Sequence, residues 1–535
     1  MAPLDPIKIL NQMTLPQKVG QMIIAAVISH EEKNKEFMQT WANWSSCPLD
    51  HAHVEKLIKE QQIGGVIFYG NNTNAHEQKE YTQYLQSLSP IKLFITLDVE
   101  TALSNRLHED TVTSYPCAMA LGAIGKPELL YQLGQQLGTQ LNDIGVQIAF
   151  TPVADANTNP KNPIIGTRSF GSDPKKVAEC SCALLQGLQS KGIVACGKHF
   201  PGHGDTHDDS HEALPQLNHD KDRLEKVELY PFGQLIAAGV KSIMLAHLEV
   251  PALESQKGLP SSLSHAIVTA LLTKKMGFAG LKITDALCMK GVTQFDTCAQ
   301  IAVKAVEAGI DLLLCPEDPA QAIEGIVHAV QEGKISEQTI NERVLKILQT
   351  KAWAFNHESG NSNQDILRSK EALDLQKKLF AQSMTLAKST SAQPFKTLND
   401  KKIAIIIHDS EEKNTFEQQI DMHNIPILSI NRDQITKEIA QEYNDNHIII
   451  SIHTMNRDAS KNFGIDGEIS LLIAKLKEIG KQVSVILFGS PYAIHTVQNA
   501  DTILVAYSNH TEAQAAAAQV VLGNEIAPGT LPITL

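Results

Sequence analysis

The densest polar stretch of the chain is Lys198-His-Phe-Pro-Gly-His-Gly-Asp-Thr-His-Asp-Asp-Ser-His211. Its histidines, His199, His203, His207 and His211, recur every four residues, a spacing that on a helix would make one metal-binding face. Pro201, Gly202 and Gly204 interrupt any such helix, so a turned loop is expected and a metal is not. Asp209 and His211, two positions apart, fall on one side of an extended segment, where a carboxylate can orient an imidazole. An imidazole held in this way can pass a proton to a leaving group and then take one from an incoming nucleophile.

A second constellation is Gly280-Leu-Lys-Ile-Thr-Asp-Ala-Leu-Cys-Met-Lys-Gly291. Asp285 stands at the end of the seventh expected strand, where a carboxylate can act as a nucleophile. Its bland role would be that of a helix N-cap. A carboxylate nucleophile and a separate proton donor suit displacement at an anomeric carbon with net retention, through a covalent glycosyl intermediate. Here a histidine would replace the usual second carboxyl group.

The elements that must position these groups are legible as short apolar runs between longer amphipathic stretches. The runs are Ile23–Ile28, Val66–Phe68, Leu93–Thr96, Ile148–Thr151, Ile193–Cys196, Ile243–Leu245, Leu281–Thr284 and Leu312–Cys315. Strands alternating with helices in this number predict an α/β fold with a (β/α)8 TIM-type barrel. Asp98, Lys198 with His199, His247 and Asp285 follow the runs directly, at the rim where barrels build their sites. His247 reads as a core histidine satisfied by backbone.

Thr14-Leu-Pro-Gln17 has capping-box spacing and predicts a helix carrying Val19, Met22 and Ile23 on its apolar face. A polar connection begins near Asn356, followed by a helix-like stretch over Glu371–Lys388. A second α/β pattern then has strand candidates Lys402–Ile407, Ile425–Ile430, His447–Ile452, Val483–Phe488 and Thr502–Ala506. The expected division is a barrel over 1–355, a linker and connecting helix over 356–394, and a smaller domain over 395–535. No internal repeat, Walker-type loop or G-x-G-x-x-G motif is present.

The chain of 535 residues carries 46 Lys+Arg against 59 Asp+Glu, a net charge of −13, so neither nucleic acid nor an anionic membrane is an expected partner. No apolar run approaches the roughly 18 residues needed to span a bilayer. The amino terminus lacks the regions of a signal peptide, which leads to the expectation of a soluble, cytoplasmic protein. Eight cysteines without a C-x-x-C pair read as reduced and mostly core.

At the two polar constellations the chain resembles glycoside hydrolase family 3, within it the β-N-acetylglucosaminidase branch acting on cell-wall muropeptides. By that resemblance His211 is the general acid/base, oriented by Asp209, and Asp285 is the nucleophile. Asn162-Pro-Ile-Ile-Gly-Thr-Arg-Ser-Phe-Gly-Ser-Asp-Pro174 is similar to the family segment whose arginine contacts the sugar, which assigns Arg168. Lys198 and His199 match sugar-hydroxyl ligands. Asp98-Val-Glu-Thr-Ala-Leu-Ser-Asn-Arg106 resembles a pocket segment and assigns Asp98 and Arg106, with Thr101 and Ala102 standing where the family has paired glycines. The carboxyl-terminal region resembles the family's α/β sandwich domain.

The resemblance implies a retaining β-N-acetylglucosaminidase without cofactor or metal, recycling peptidoglycan fragments in a bacterial cytoplasm. Its partner would be a small carbohydrate; a monomer is the expectation for the chain, with an oligomer as the alternative. Phosphorolysis is the near alternative, because a histidine base tolerates an anionic acceptor that a carboxylate base would repel. A non-catalytic sugar-binding protein would need neither Asp285 nor His211. A metal-dependent hydrolase using the histidine series would lose activity with chelator.

Overall fold

The computed structural model describes residues 5–43, 45–70, 73–207, 214–357, 365–389, 394–395, 402–408, 412–431 and 447–534. Two compact units make up the chain. The first comprises Met1–Ser114, Pro127–Ala156 and Val177–Ala372, and the second Tyr115–Lys126, Asn157–Lys176 and Leu373–Leu535.

In the first unit the eight apolar runs form β1 (Ile23–Ile28), β2 (Gly65–Tyr69), β3 (Phe94–Leu97), β4 (Ile148–Ala149), β5 (Val194–Phe200), β6 (Ser242–Leu245), β7 (Leu281–Thr284) and β8 (Leu313–Leu314). All pair in parallel, in the order β7-β6-β5-β4-β3-β2-β1-β8. A parallel bridge between Ile283 and Leu312 brings the two ends of the sheet together, so the barrel is nearly closed. Strands covered on both faces must be apolar throughout, and all six residues of β1 are buried.

The expected amino-terminal helix is short. Gln17 Oε1 accepts from the Thr14 backbone N–H at 2.8 Å, as the capping pattern requires, but the helix ends at Gly20 and Ile23 opens β1. Val19, Met22 and Ile23 are buried nonetheless, the last as part of the barrel rather than of a helix face.

The second unit holds a six-stranded sheet of β9 (Thr385–Lys388), β10 (Lys402–His408), β11 (Ile427–Asn431), β12 (His447–Ile452), β13 (Gln482–Leu487) and β14 (Thr502–Val505). Alternate residues feed separate cores on its two faces. Ile405, Ile407, Ile448, Ile450 and Ile452 lie in one, and Ala404, Ile406, Ile449, Ile486 and Leu504 in the other. The helix Ala118–Ile124 contributes Met119, Ala120 and Ala123 to the first of these cores. A sheet sandwiched between helical layers is the α/β arrangement expected for this region.

One element departs from the expectation over Glu371–Lys388. The helix runs only over Lys370–Ser383, and Thr385–Lys388 is a strand antiparallel to β14. Leu386, Ala387 and Lys388 favour helix locally, and pairing with an otherwise open sheet edge overrides that preference. Among the described residues no helix is long and apolar enough to cross a membrane. All eight cysteines are free, and Cys47, Cys180, Cys196, Cys288 and Cys315 are buried.

Candidate active site

The carboxyl ends of the barrel strands gather most of the charged residues picked out in the first unit. Asp98 follows β3, and its two carboxylate oxygens are divided between two cations. Oδ1 accepts from Lys198 Nζ at 2.9 Å, and Oδ2 from Arg106 Nη2 at 2.9 Å. Burial alone would raise the Asp98 carboxyl, but Lys198 and Arg106 overcome it and hold the group well below the usual carboxylate range. Asp98 is therefore an ionised acceptor at all ordinary pH.

Lys198 lies on β5, 2% exposed, with Glu100 Oε1 at 3.1 Å as its second carboxylate. Arg106 closes the short turn Leu103–Asn105, and its guanidinium carbon stands 5.7 Å from the centre of the Tyr69 ring. The replacement of the family's glycine pair by Thr101 and Ala102 thus leaves Arg106 joined to Asp98.

His199, next along β5, is bound to a carboxylate that sequence reasoning passed over. Its Nδ1 lies 2.7 Å from Asp155 Oδ2, and its backbone N–H points at both oxygens of the same group. Asp155 also accepts from the His203 backbone N–H at 2.7 Å. Its side chain is wholly buried, which would raise its pKa, yet the charge and hydrogen bond of His199 hold the carboxyl below its ordinary value. The available signal was positional, since Asp155 follows the fourth apolar run much as Asp98 follows the third. Glu100 was missed in the same way.

Asp285 directly follows β7. Its backbone N–H donates to Leu245 O at 2.8 Å, and its Oδ1 accepts from the Ala286 N–H at 2.8 Å. It caps no helix, because the next one, Lys290–Thr293, begins after Met289. Buried Cys196, its thiol pushed up to about 12 chiefly by burial, feels the charges of Lys198, Asp98 and Asp285 together. Asp98, Lys198 and Asp285 thus stand at or near the carboxyl ends of β3, β5 and β7. His247, 1% exposed, follows β6 as a core histidine. Its Nε2 meets Ala286 O at 3.1 Å, so its Nδ1 accepts from the Ser262 hydroxyl at 2.7 Å.

Asp209 and His211 lie outside the described residues, and their flanks are anchored on either side. Gly202 has φ +125°, and a Cβ there would stand 2.7 Å from Glu228 Cβ, so only glycine fits. Asp205 Oδ2 lies 2.7 Å from His219 Nε2, and Arg223 Nη2 reaches Asp205 at 3.5 Å and Glu228 at 3.1 Å. Asp205, His219 and Glu228 are close enough to share a cation, and Arg223 already serves as one. Among the described residues, His199 and His203 share no helical face. His199 is on a strand, whereas His203 sits in the following turn with Nδ1 2.8 Å from Thr206 Oγ1 and its pKa pulled down to about 4, mainly by burial.

Arg168 belongs to the second compact unit. It ends the turn Gly166–Arg168 and donates from Nη1 to Ile164 O at 3.1 Å. Asn162 Oδ1 caps Ile164 and Ile165, and Asn157 Oδ1 accepts from the Gly166 N–H at 3.1 Å. The Tyr492 hydroxyl in turn lies 2.6 Å from Asn157 Nδ2, which ties the Arg168 segment to the core of its own unit.

A parallel barrel with ionised carboxylates, a buried lysine and imidazoles at its strand ends defines an enzyme of the barrel class. Residues 14–350 match the glycosyl hydrolase family 3 N-terminal domain; the chain belongs to that family and is a glycoside hydrolase. Beta-hexosaminidase A of Pseudoalteromonas piscicida is 28% identical over 544 residues, covering 90% of this chain and 91% of that protein. A beta-hexosaminidase of Nitrosomonas eutropha is 34% identical over 269 residues, covering 49% and 76%. The solved family 3 β-N-acetylglucosaminidase of Paenibacillus sp. FPU-7 superposes with a TM-score of 0.81 at 30% identity, over 98% of this chain and 99% of that one.

Proposed function

We propose that the enzyme is a retaining β-N-acetylglucosaminidase that releases terminal β-linked N-acetylglucosamine from peptidoglycan (muropeptide) fragments. The observation that carries this reading is the end-to-end likeness to a solved β-N-acetylglucosaminidase. The muropeptide substrate, and with it a place in cytoplasmic cell-wall recycling, rests on the resemblance of the His211-bearing motif.

In this reading Asp285 attacks C1 while His211, oriented by Asp209, protonates the departing oxygen. Water activated by the neutral imidazole then releases the sugar. Asp98, held ionised, accepts from sugar hydroxyls, and Lys198, Arg106, His199 and Arg168 donate to them. Such contacts accelerate the reaction only as far as they tighten at the oxocarbenium-like transition state. Dividing Asp98 between two cations supports this role, because the carboxylate is already oriented before substrate arrives.

The test is release of 4-nitrophenol from its β-N-acetylglucosaminide and its β-glucoside by the wild type, Asp285→Ala and His211→Ala, with and without phosphate. Selective cleavage of the acetylglucosaminide, lost in both variants, is the expected result. Full turnover by Asp285→Ala would remove the proposed nucleophile, and sugar-1-phosphate formed in phosphate would replace hydrolysis by phosphorolysis.

A further inference from the structure

A pocket of about 430 Å³ opens at the amino-terminal ends of β6 and β7, the opposite end of these strands from Asp285. Its walls include Val240 and Lys241 before β6, Phe278 before β7, and Lys346, Gln349 and Trp353 from the helix Glu337–Phe355. The volume falls within the roughly 300–1,000 Å³ of small-molecule sites.

The charges at this end are unbalanced. Asp311, 1% exposed, is approached by Lys282 at 3.5 Å, Arg343 at 3.3 Å and Lys346 at 3.1 Å, so one carboxylate serves three cations. Lys241 forms no ion pair among the described residues; its Nζ stands over the Trp353 ring, 4.1 Å from the centroid. This surplus of positive charge occurs in a chain whose net charge is −13. A ring face compensates an ammonium only in part, and a partly desolvated cation gains most from an anion brought into the same pocket.

We propose that this pocket binds an organic anion: a phosphate or carboxylate held between Lys241 and Lys346, carried on an apolar or planar body that packs against Trp353 and Ile236. Ile236 and Ala279 add apolar surface that is at least partly exposed, and Gln349 supplies a neutral hydrogen-bonding group in the wall. The site lies apart from Asp98, Lys198 and Asp285, so its occupant is a second ligand and not the glycoside undergoing cleavage.

Phenyl phosphate serves as the probe, titrated calorimetrically into the wild type, Lys241→Met and Asp285→Asn, with inorganic phosphate and phenyl β-glucoside as separate arms. Methionine keeps an unbranched, apolar stem over Trp353 and removes its charge, and circular dichroism with a melting curve verifies the fold. The expected result is saturable binding of phenyl phosphate, unchanged in Asp285→Asn and at least about tenfold weaker in Lys241→Met. Inorganic phosphate should bind several-fold more weakly than the probe, and phenyl β-glucoside should not bind here. The proposal is overturned by the absence of saturable binding up to about 10 mM, by equal affinity in folded Lys241→Met, or by loss of binding in Asp285→Asn. Equal affinity for phosphate with and without the phenyl group would overturn the apolar half of the site.

Discussion

Asp155 accepts from His199 twice, from the ring at 2.7 Å and from the backbone N–H at 3.2 Å, so a single buried carboxylate sets both where the imidazole sits and how it is turned. A buried charge partner removed from such a pair leaves its fellow uncompensated, at a cost of about 3–5 kcal/mol. Asp155→Ala should lower the urea midpoint accordingly, and Asp155→Asn, which keeps the shape, should cost less. The depressed Asp155 carboxyl contributes stability that is present above the ordinary carboxylate pKa and lost as pH falls through the folded value. Acid unfolding of Asp155→Asn should therefore lack that part of the transition.

The Asp98–Lys198 pair should matter to turnover as well as to folding, since Lys198 is buried while Asp98 is partly open to the rim. Lys198→Met leaves Asp98 and Glu100 without their shared ammonium. A fall in kcat/KM of about a hundredfold, or ~2.7 kcal/mol, is expected for the acetylglucosaminide. Wild-type kinetics in the folded variant would show that Lys198 is only a structural cation.

Lys351 links stability to pH in the alkaline direction. Its ammonium is fully buried, hydrogen-bonded to Gln21 Oε1 at 2.8 Å, and burial lowers its pKa to about 7. The unfolded chain keeps this proton up to about pH 10.4, so it binds more protons than the fold does between those values, and stability rises with pH. The full difference is ~5 kcal/mol. Because the buried thiols work in the opposite sense above about pH 8.5, the Lys351 contribution is read as a difference: between about pH 7 and 9.5 the urea midpoint of the wild type should gain on that of Lys351→Met. Lys282, whose pKa burial lowers to about 8, contributes equally to both and cancels.

Gly202→Ala tests the turn that leads into the Asp209–His211 segment. A Cβ at φ +125° would press on Glu228, which strains the backbone by about 1–3 kcal/mol. The melting temperature should fall by a few degrees. If the turn positions the segment, activity at a temperature where the variant is fully folded should fall further than this strain alone explains.

Much of the barrel was legible because each of its strands is buried on both faces and so reads as a short continuous apolar run. Val66–Phe68 and Leu281–Thr284 emerge as β2 and β7 almost to the residue. The strand Thr385–Lys388 was not legible, because its pairing partner lies more than a hundred positions away in β14 and its own residues favour helix. The site divides in the same way. Asp98, Lys198, His199 and Asp285 announce themselves by following apolar runs, whereas Asp155 and Glu100 acquire meaning only from Lys198 and His199 beside them.

By itself the sequence determined the eight barrel strands, several of the polar residues at their carboxyl ends and which family the motifs resemble. These follow from local periodicity and residue type, which need no knowledge of distant partners. Only the tertiary structure decided that Asp98 is shared between Lys198 and Arg106, that Asp155 holds His199, and that Ala118–Ile124 packs onto the sheet of the second unit. The physical reason is that a charge acquires its state, and an apolar face its cover, from whatever the closed fold brings against it, and a linear spacing does not encode those distances.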